Sequence, residues 1–177
     1  FFVTLMSFLL IFPVFSEDIE EIVVTALKRS STVVDTPASI TAIGANEIED
    51  KGITDMNDLK HLIPSMNFTS VLGAQNITIR GIGQFNGNPG VSVSTDGVFQ
   101  SRSHSSQLGE MDLERIEVLR GPQGTLYGRN SIGGVVNLIT KNPSQDRDGY
   151  IKFGHSNYNT TKVETAFGGG ISENTTY

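Results

Sequence analysis

Three glycine-bearing stretches are where this chain could do chemistry. "RGPQGTLYGRNSIGG" (Arg120 to Gly134) follows the strand-like run "RIEVLR" and has the outline of a loop that wraps a phosphate. A phosphate loop needs GxxxxGK[ST], because its lysine must reach the β- and γ-phosphates and its hydroxyl must hold magnesium. Gly124 and Gly128 stand one residue too close for that pattern, and Arg129-Asn130 occupy the places of Lys and Ser/Thr. "GIGQFNG" (Gly81 to Gly87) approaches the dinucleotide fingerprint GxGxxG, but its last glycine comes one place late. Asn88-Pro89-Gly90 then reads as a turn instead of a helix start. "GRNSIG" (Gly128 to Gly133) misses the nucleophile elbow GxSxG, again by one residue. Spacing therefore argues against nucleotide binding and serine hydrolysis, and the glycines need another explanation.

Other chemistries have little to work with. His61, His104 and His155 lie far apart and show no metal-ligand spacing. Asp146-Arg147-Asp148-Gly149 lacks the oxygen ligands that continue a calcium loop and reads as a turn. A chain without cysteine has no disulfide framework, no thiolate metal site and no cysteine for a lipid anchor. The net charge of −6 argues against a nucleic-acid partner. Four Asn-x-Thr triplets, starting at Asn67, Asn76, Asn159 and Asn174, are glycosylation acceptors in a eukaryotic secreted protein and polar loop or strand residues in a bacterium. No catalytic residues, metal site or cofactor are expected.

The elements that must carry these loops begin after an apolar leader. "FFVTLMSFLLIFPVFS" (1–16) is uncharged, too short to span a membrane as a helix, broken by Pro13, and ends in a signal-peptide-like Val14-Phe15-Ser16. It reads as an incomplete signal peptide, hence an exported protein. From Glu17 to Ser31 the chain is acidic, then apolar ("IVVTA", Ile22 to Ala26), then basic, with no partner strand beside it in sequence. Val33 to Ile43 reads as a strand, with Pro37 marking an edge. Asn46 to Lys51 is a short helix stopped by Gly52. Thr54 or Asp55 can cap a second helix with the apolar stripe Met56, Leu59, Leu62 and Ile63, ended by Pro64.

"NITIR" (Asn76 to Arg80) alternates as a strand. "VSVSTDGVFQ" alternates on both sides of Asp96-Gly97, a strong hairpin signal. Arg115 to Leu119 is a strand, Pro122 suits the first turn of a short helix that Gly128 can end, and Gly133 to Thr140 is apolar enough to be buried on both faces. Mixed strands and short helices make 32–143 an α+β domain. Beyond Asn142-Pro143 the texture changes. Ile151 and Phe153 alternate with Lys152 and Gly154, a turn lies at Asn157 to Asn159, and Val163, Thr165 and Phe167 alternate with Lys162, Glu164 and Ala166. Such strands mark a transmembrane β-barrel.

Taken in order, these segments resemble the TonB-dependent receptors of the Gram-negative outer membrane. "EIVVTA" (Glu21 to Ala26) looks like a TonB box; "ITIRGIG", "DGVF" and above all "LERIEVLRGPQGTLYGRNSIGGVVNLITK" look like the plug domain. The similarity runs from Glu20 to about Gly170, and the last motif is long and specific. The family usually has an aromatic or aliphatic residue before "DGV"; Ser94-Thr95 stand here, which bears on how the hairpin packs.

The resemblance implies a signal peptide (1–16), a periplasmic segment (17–31), a plug (32–143) and the first strands of a truncated antiparallel barrel (144–177). It implies contact of Glu21, Ile22, Val23, Val24, Thr25 and Ala26 with TonB, the inner-membrane energy transducer. It implies that Arg80, Glu114, Glu117 and Arg120 hold the plug to the barrel wall. The loops bearing Gln75, Gln84, Phe85, Asn86, Arg102 and Gln107 are the expected ligand contacts. The partners implied are TonB, outer-membrane lipid and an extracellular metal chelate, most simply a ferric siderophore. Cobalamin, haem and oligosaccharides are carried by the same family. A passive porin or adhesin is the competing reading, and the globular block 33–143 argues against a porin.

Overall fold

The computed structural model describes residues 22–71, 74–84, 87–100, 112–173 and 175–177. The leader and Glu21 lie outside them, as do Phe85, Asn86, Arg102 and Gln107. A five-stranded mixed sheet organises the first part of the chain. Its strands are β3 (Ile40–Gly44), β6 (Val91–Thr95), β7 (Val98–Phe99), β8 (Leu113–Arg120) and β9 (Gly134–Thr140), in the order β3-β8-β9-β6-β7. Only the β6–β9 pair is parallel. β8 and β9 lie in the interior of the sheet, and their burial on both faces explains why "RIEV" and "GVVNLI" contain so few exposed residues.

Side chains alternate across a sheet, so each strand feeds two cores. On one face Ile43, Ile116, Val118, Val136 and Leu138 pack with Met56, Leu59, Ile63, Met66 and Ile79. The cover on this side is a 3-10 helix (Met56–His61) and the hairpin of β4 (Met66–Val71) and β5 (Ala74–Ile79). The helix begins at Asp55, whose carboxylate accepts from the Asn57 N–H at 2.8 Å, while Asp58 accepts from the Asp55 N–H at 3.0 Å. Both orphan donors of the first turn are thereby satisfied. The opposite face carries Ile40, Leu119 and Val135 and is covered by Val24 and Ala26 of the N-terminal segment.

Several expectations need correction. Residues 33–38 are turns and bends, and the strand starts only at Ile40. Thr36 is buried and its hydroxyl donates to the Thr32 carbonyl at 2.7 Å, which closes a turn where an edge strand was expected. The helix after Pro122 is a single turn, α2 (Gly124–Tyr127), because Gln123 at φ −128° is not yet helical. The expected helix at Asn46 is α1 (Ala45–Asp50), followed by Gly52 at φ 59°. β4 has no counterpart among the sequence expectations, although Met66 and Phe68 alternate with Asn67 and Thr69.

The glycines of the opening motif prove structural. Gly128 ends α2 at φ 72°, where a side chain is strained. A Cβ on Gly134 would lie 2.3 Å from the Leu119 carbonyl oxygen, so β8 and β9 meet only because it is absent.

After Asn142 comes a separate unit. β10 (Asp148–Ser156) and β11 (Thr160–Gly168) form a long antiparallel hairpin, followed by the short pair β12 (Gly170–Ser172) and β13 (Thr175–Thr176). Register places Ile151 opposite Thr165, Phe153 opposite Val163 and Lys152 opposite Glu164. Ile151, Phe153, Val163 and Phe167 are all exposed on one face. The other face turns towards the first unit, where Lys152 Nζ pairs with Glu49 of α1 at 3.0 Å. Among the described residues no helix is long and apolar enough to cross a membrane.

Candidate functional site: the seat of the N-terminal segment

Ile22 to Ala26 is expected to be a free strand. Instead it is seated on the sheet, and this is the main correction to the sequence reading. Val23 and Val24, forming β1 (Val23–Val24), pair antiparallel with β2 (Ser31–Thr32). Sequence pattern hid this partner because Ser31-Thr32 is a polar dipeptide reached by the turn at Thr25–Lys28, where the Lys28 N–H donates to the Thr25 carbonyl at 2.8 Å. Val24 and Ala26 are 0% exposed, whereas Val23 between solvent and sheet is 51% exposed. The segment therefore has an inward and an outward edge.

Under the segment lies a buried acid. Glu117, at the middle of β8, is 0% exposed. Its carboxylate accepts from Arg115 Nε at 2.8 Å, from the Thr25 main-chain N–H at 2.8 Å and from Asn137 Nδ2 at 3.4 Å. Arg115 also donates from Nη2 to the Thr25 hydroxyl at 3.2 Å, and its other arm pairs with Glu114. A buried carboxylate is tolerable only when its charge and lone pairs are met. The far end is held by Tyr127, whose hydroxyl donates to the Ala26 carbonyl at 2.7 Å, with Lys28 stacked over its ring at 4.6 Å. Burial, with the Glu117 charge nearby, pushes the Tyr127 hydroxyl up to about 12, so it remains a donor. Beside the segment an open groove of ≈ 880 Å³ is lined by Ile22, Val23, Thr25, α1 and Arg115.

The four charges expected to face a barrel wall are split. Glu117 faces inward and is taken up as described, which corrects its expected outward position. Glu114 is half-exposed at the start of β8 beside Arg115. Arg80 and Arg120 meet at the opposite end of the sheet, both on Ser39. Arg80 donates from Nη2 to its hydroxyl at 3.2 Å, and the Arg120 N–H donates to its carbonyl at 2.9 Å. Among the described residues Arg120 Nε is buried without a partner, so that corner has an unused donor. Arg115 and Tyr127 were missed by sequence reasoning. For Arg115 the signal was its i, i+2 spacing from Glu117, which puts both on one face of a strand.

Of the expected ligand contacts, Gln75 lies on β5 opposite Ser70. Gln84 is exposed, and its N–H donates to the Asn76 side chain at 2.9 Å. The two stand near the same β5 strand end, while the remaining four fall outside the described residues.

Residues 32–135 match the TonB-dependent receptor plug domain. The chain belongs to that family. It is 32% identical over 166 residues to the pesticin receptor of Yersinia pestis, covering 91% of this chain and 24% of that one. It is 30% identical over 180 residues to the ferrioxamine B receptor of Salmonella typhimurium, covering 92% and 25%. The crystal structure of the ferric yersiniabactin uptake receptor from Yersinia pestis superposes with a TM-score of 0.71 at 32% identity, over 77% of this chain and 22% of that one. The chain thus spans about a quarter of the length of the curated relatives it matches. The architecture is that of a plug followed by antiparallel strands, and its place is the Gram-negative outer membrane. The relatives are named as receptors and uptake proteins, not as enzymes.

Proposed function

We propose that this protein is an outer-membrane receptor that takes up a ferric siderophore with energy delivered by TonB. One observation carries the reading: a short apolar peptide, Ile22 to Ala26, rests on the plug through a few exchangeable hydrogen bonds and keeps Val23 exposed. The outer membrane has no nucleotide supply or ion gradient of its own, so concentrative uptake needs work from the inner membrane. A peptide that can leave the sheet and add as a strand to an exposed edge of TonB transmits that work through its main chain.

In this reading 1–16 directs export and Glu21 to Ala26 contacts TonB. Arg80 and Arg120 present the sheet's open corner to carboxylates of the barrel wall, with Glu114 a weaker contact at the other end. Gln75, Gln84, Phe85, Asn86, Arg102 and Gln107 lie on loops that meet the ligand from outside. The exposed stripe Ile151, Phe153, Val163 and Phe167 meets lipid, as alternating barrel strands require. Ferric siderophore is favoured over the family's other cargoes by the ferrioxamine B and ferric yersiniabactin relatives.

The test uses the full-length receptor and a panel of ⁵⁵Fe-loaded siderophores in an iron-starved host. Saturable cell-surface binding and accumulation of one of them, with accumulation alone lost in Val23→Pro, is the expected result. Proline at this exposed position removes a ladder N–H without emptying the buried seats of Val24 and Ala26. Accumulation that survives Val23→Pro would overturn strand addition, and no binding of any ferric chelate would overturn the cargo.

A further inference from the structure

The strands after Asn142 meet the rest of the chain through two unlike contacts. The first is a joint of close main-chain packing. The Gly170 N–H donates to the Gln145 carbonyl at 3.1 Å, and Gln145 Nε2 donates to the Glu173 carbonyl at 3.1 Å. A Cβ on Gly170 would collide with Gln145, so the linker crosses there only because it is absent. The second contact, at α1, is made by charge. Lys152 Nζ of β10 pairs with Glu49 at 3.0 Å, with the two side chains 45% and 66% exposed. Between α1 and the hairpin lies an open cleft of ≈ 840 Å³, lined by Glu49, Lys141, Tyr150, Lys152, Lys162 and Glu164. A space of that size bounded by ionisable side chains fills with water.

Lys152 has a second acid in reach. Register places Glu164 of β11 directly opposite it, and such cross-strand neighbours stand about 4.5–5.5 Å apart at Cβ. Glu164 pairs in turn with Lys162, two residues along the same strand and on the same face. Glu49 of the plug and Glu164 of the hairpin therefore compete for one ammonium. With Lys152 on Glu49 the seam is closed. With Lys152 on Glu164 the hairpin meets its own charge, and Glu49 returns to water in which it is already largely exposed. The remaining cation behaves likewise: Lys141 lies 5.8 Å over the Tyr150 ring of β10 but keeps Asp112, on its own side of the seam, at 3.3 Å. Exchanging one surface ion pair for another is nearly neutral, whereas parting an apolar seam would expose all of it to water.

We propose that the seam between α1 and the β10–β11 hairpin is a built-in parting plane, at which Lys152 exchanges Glu49 for Glu164. The plug then swings from the hairpin about the Gln145–Gly170 joint, and the cleft widens for a polar chelate to pass. This rests on the reading of the chain as an uptake receptor. The two arrangements differ by a single ion pair, so a small bias in either direction shifts their populations.

The exchange is read by labelling. The chain has no cysteine, so Ala166→Cys in the full-length receptor marks the cleft, which Ala166 lines opposite Tyr150. Its rate of reaction with a bulky water-soluble maleimide is measured in outer-membrane fragments. Glu49→Gln removes the closed-state partner and should raise the rate roughly two- to fivefold, while Glu164→Gln removes the open-state partner and should lower it by a similar factor. Lys162→Gln frees Glu164 for Lys152 and should raise it. Both glutamate variants remove one negative charge near the cleft, so a general electrostatic effect on the reagent would move both rates the same way. Shifts of the same sign, or none, overturn the exchange. Passage is scored separately in cells. Glu49→Cys with Lys152→Cys, joined by a reducible bismaleimide, should bind a ⁵⁵Fe-loaded siderophore of the panel but accumulate none until the bridge is reduced. Undiminished accumulation through the bridged receptor overturns the parting plane. Binding of no chelate by the parent refutes the uptake reading and leaves the exchange to be decided by the labelling rates.

Discussion

Val136 and Phe153 each sit mid-strand in a well-paired sheet, yet Val136 is 0% exposed and Phe153 is 78% exposed. Around Val136 the five-stranded sheet finds cover on both faces from its own chain: the 3-10 helix and the β4–β5 hairpin on one side, the N-terminal segment on the other. Around Phe153 the β10–β11 hairpin pairs fully along its length and covers neither face with apolar side chains of its own. Strand pairing is therefore the same in the two regions, and the difference lies in what each expects as solvent. The first carries its cover with it. The second turns an apolar stripe outward, as a lipid-facing strand does, and a charged one, Lys152 and Glu164, towards the plug.

The sharpest way to break the comparison is one charge placed in each region. Val136→Arg buries an unpaired guanidinium and should cost about 4–5 kcal/mol or more, enough to unfold a marginal domain. In outer-membrane preparations the plug should become protease-sensitive. Phe153→Arg should leave plug resistance unchanged but lower the yield of folded receptor, since a lipid-facing arginine costs ~2–4 kcal/mol near the bilayer midplane. The readout is the fraction of receptor that keeps folded mobility in unheated gels. Equal loss of plug resistance in both variants would erase the distinction between the two regions.

A second break falls inside the plug. Glu117→Ala leaves Arg115 buried with the half-exposed Glu114 as its charge partner and the Thr25 hydroxyl as its other acceptor, and removing one partner of a buried pair costs ~3–5 kcal/mol. Lys152→Ala removes an exposed pair with Glu49, worth ~0–1 kcal/mol. Denaturant midpoints followed by hydrogen exchange at Val136 should separate these two by several-fold in free energy. Comparable effects would mean that the hairpin braces the plug far more than one exposed ion pair can.

The two regions also differ in how much of them could be read from sequence. The hairpin was legible almost residue by residue, because strict alternation and a polar turn are local signals. The β6–β7 turn was legible for the same reason, with Asp96 and Gly97 at φ 48° and 81° as a two-residue loop requires. The plug's strands could be placed from apolar runs and from the family's long motif, but its covers could not. Ser31-Thr32 has no strand pattern, and only the fold brings it beside Val23-Val24. Glu117 reads as a contact to the barrel wall because nothing nearby in sequence announces that residues 22–26, some ninety positions away, will close over it. Arg80 and Arg120 meet at Ser39 through three separate elements. Local period was readable, and long-range cover was not.

The smallest expected effect tests the plug's cover and not its sheet. Asp58 loses some solvation on folding, which alone would raise its pKa, but hydrogen bonds from the Thr54 and Asp55 N–H groups outweigh that and hold it below the ordinary carboxylate value. A carboxyl depressed in the folded state stabilises fully above its unfolded pKa of about 3.9 and loses that contribution as pH falls through the folded value. Asp58→Asn should therefore destabilise the 3-10 helix at pH 7 by roughly 0.5–1 kcal/mol, since Asp58 closes the capping box by accepting from the Thr54 and Asp55 N–H groups. The gap between the variant and the parent should close as pH falls through the depressed folded-state pKa and the parent's carboxyl is also protonated. Amide exchange at Leu59 and Ile63 follows that helix, and exchange along β10 and β11 should not respond at all. A gap that persists in acid would show that Asp58 acts through its shape and not its charge. A response in the hairpin would show that the 3-10 helix and the barrel strands share one cooperative unit.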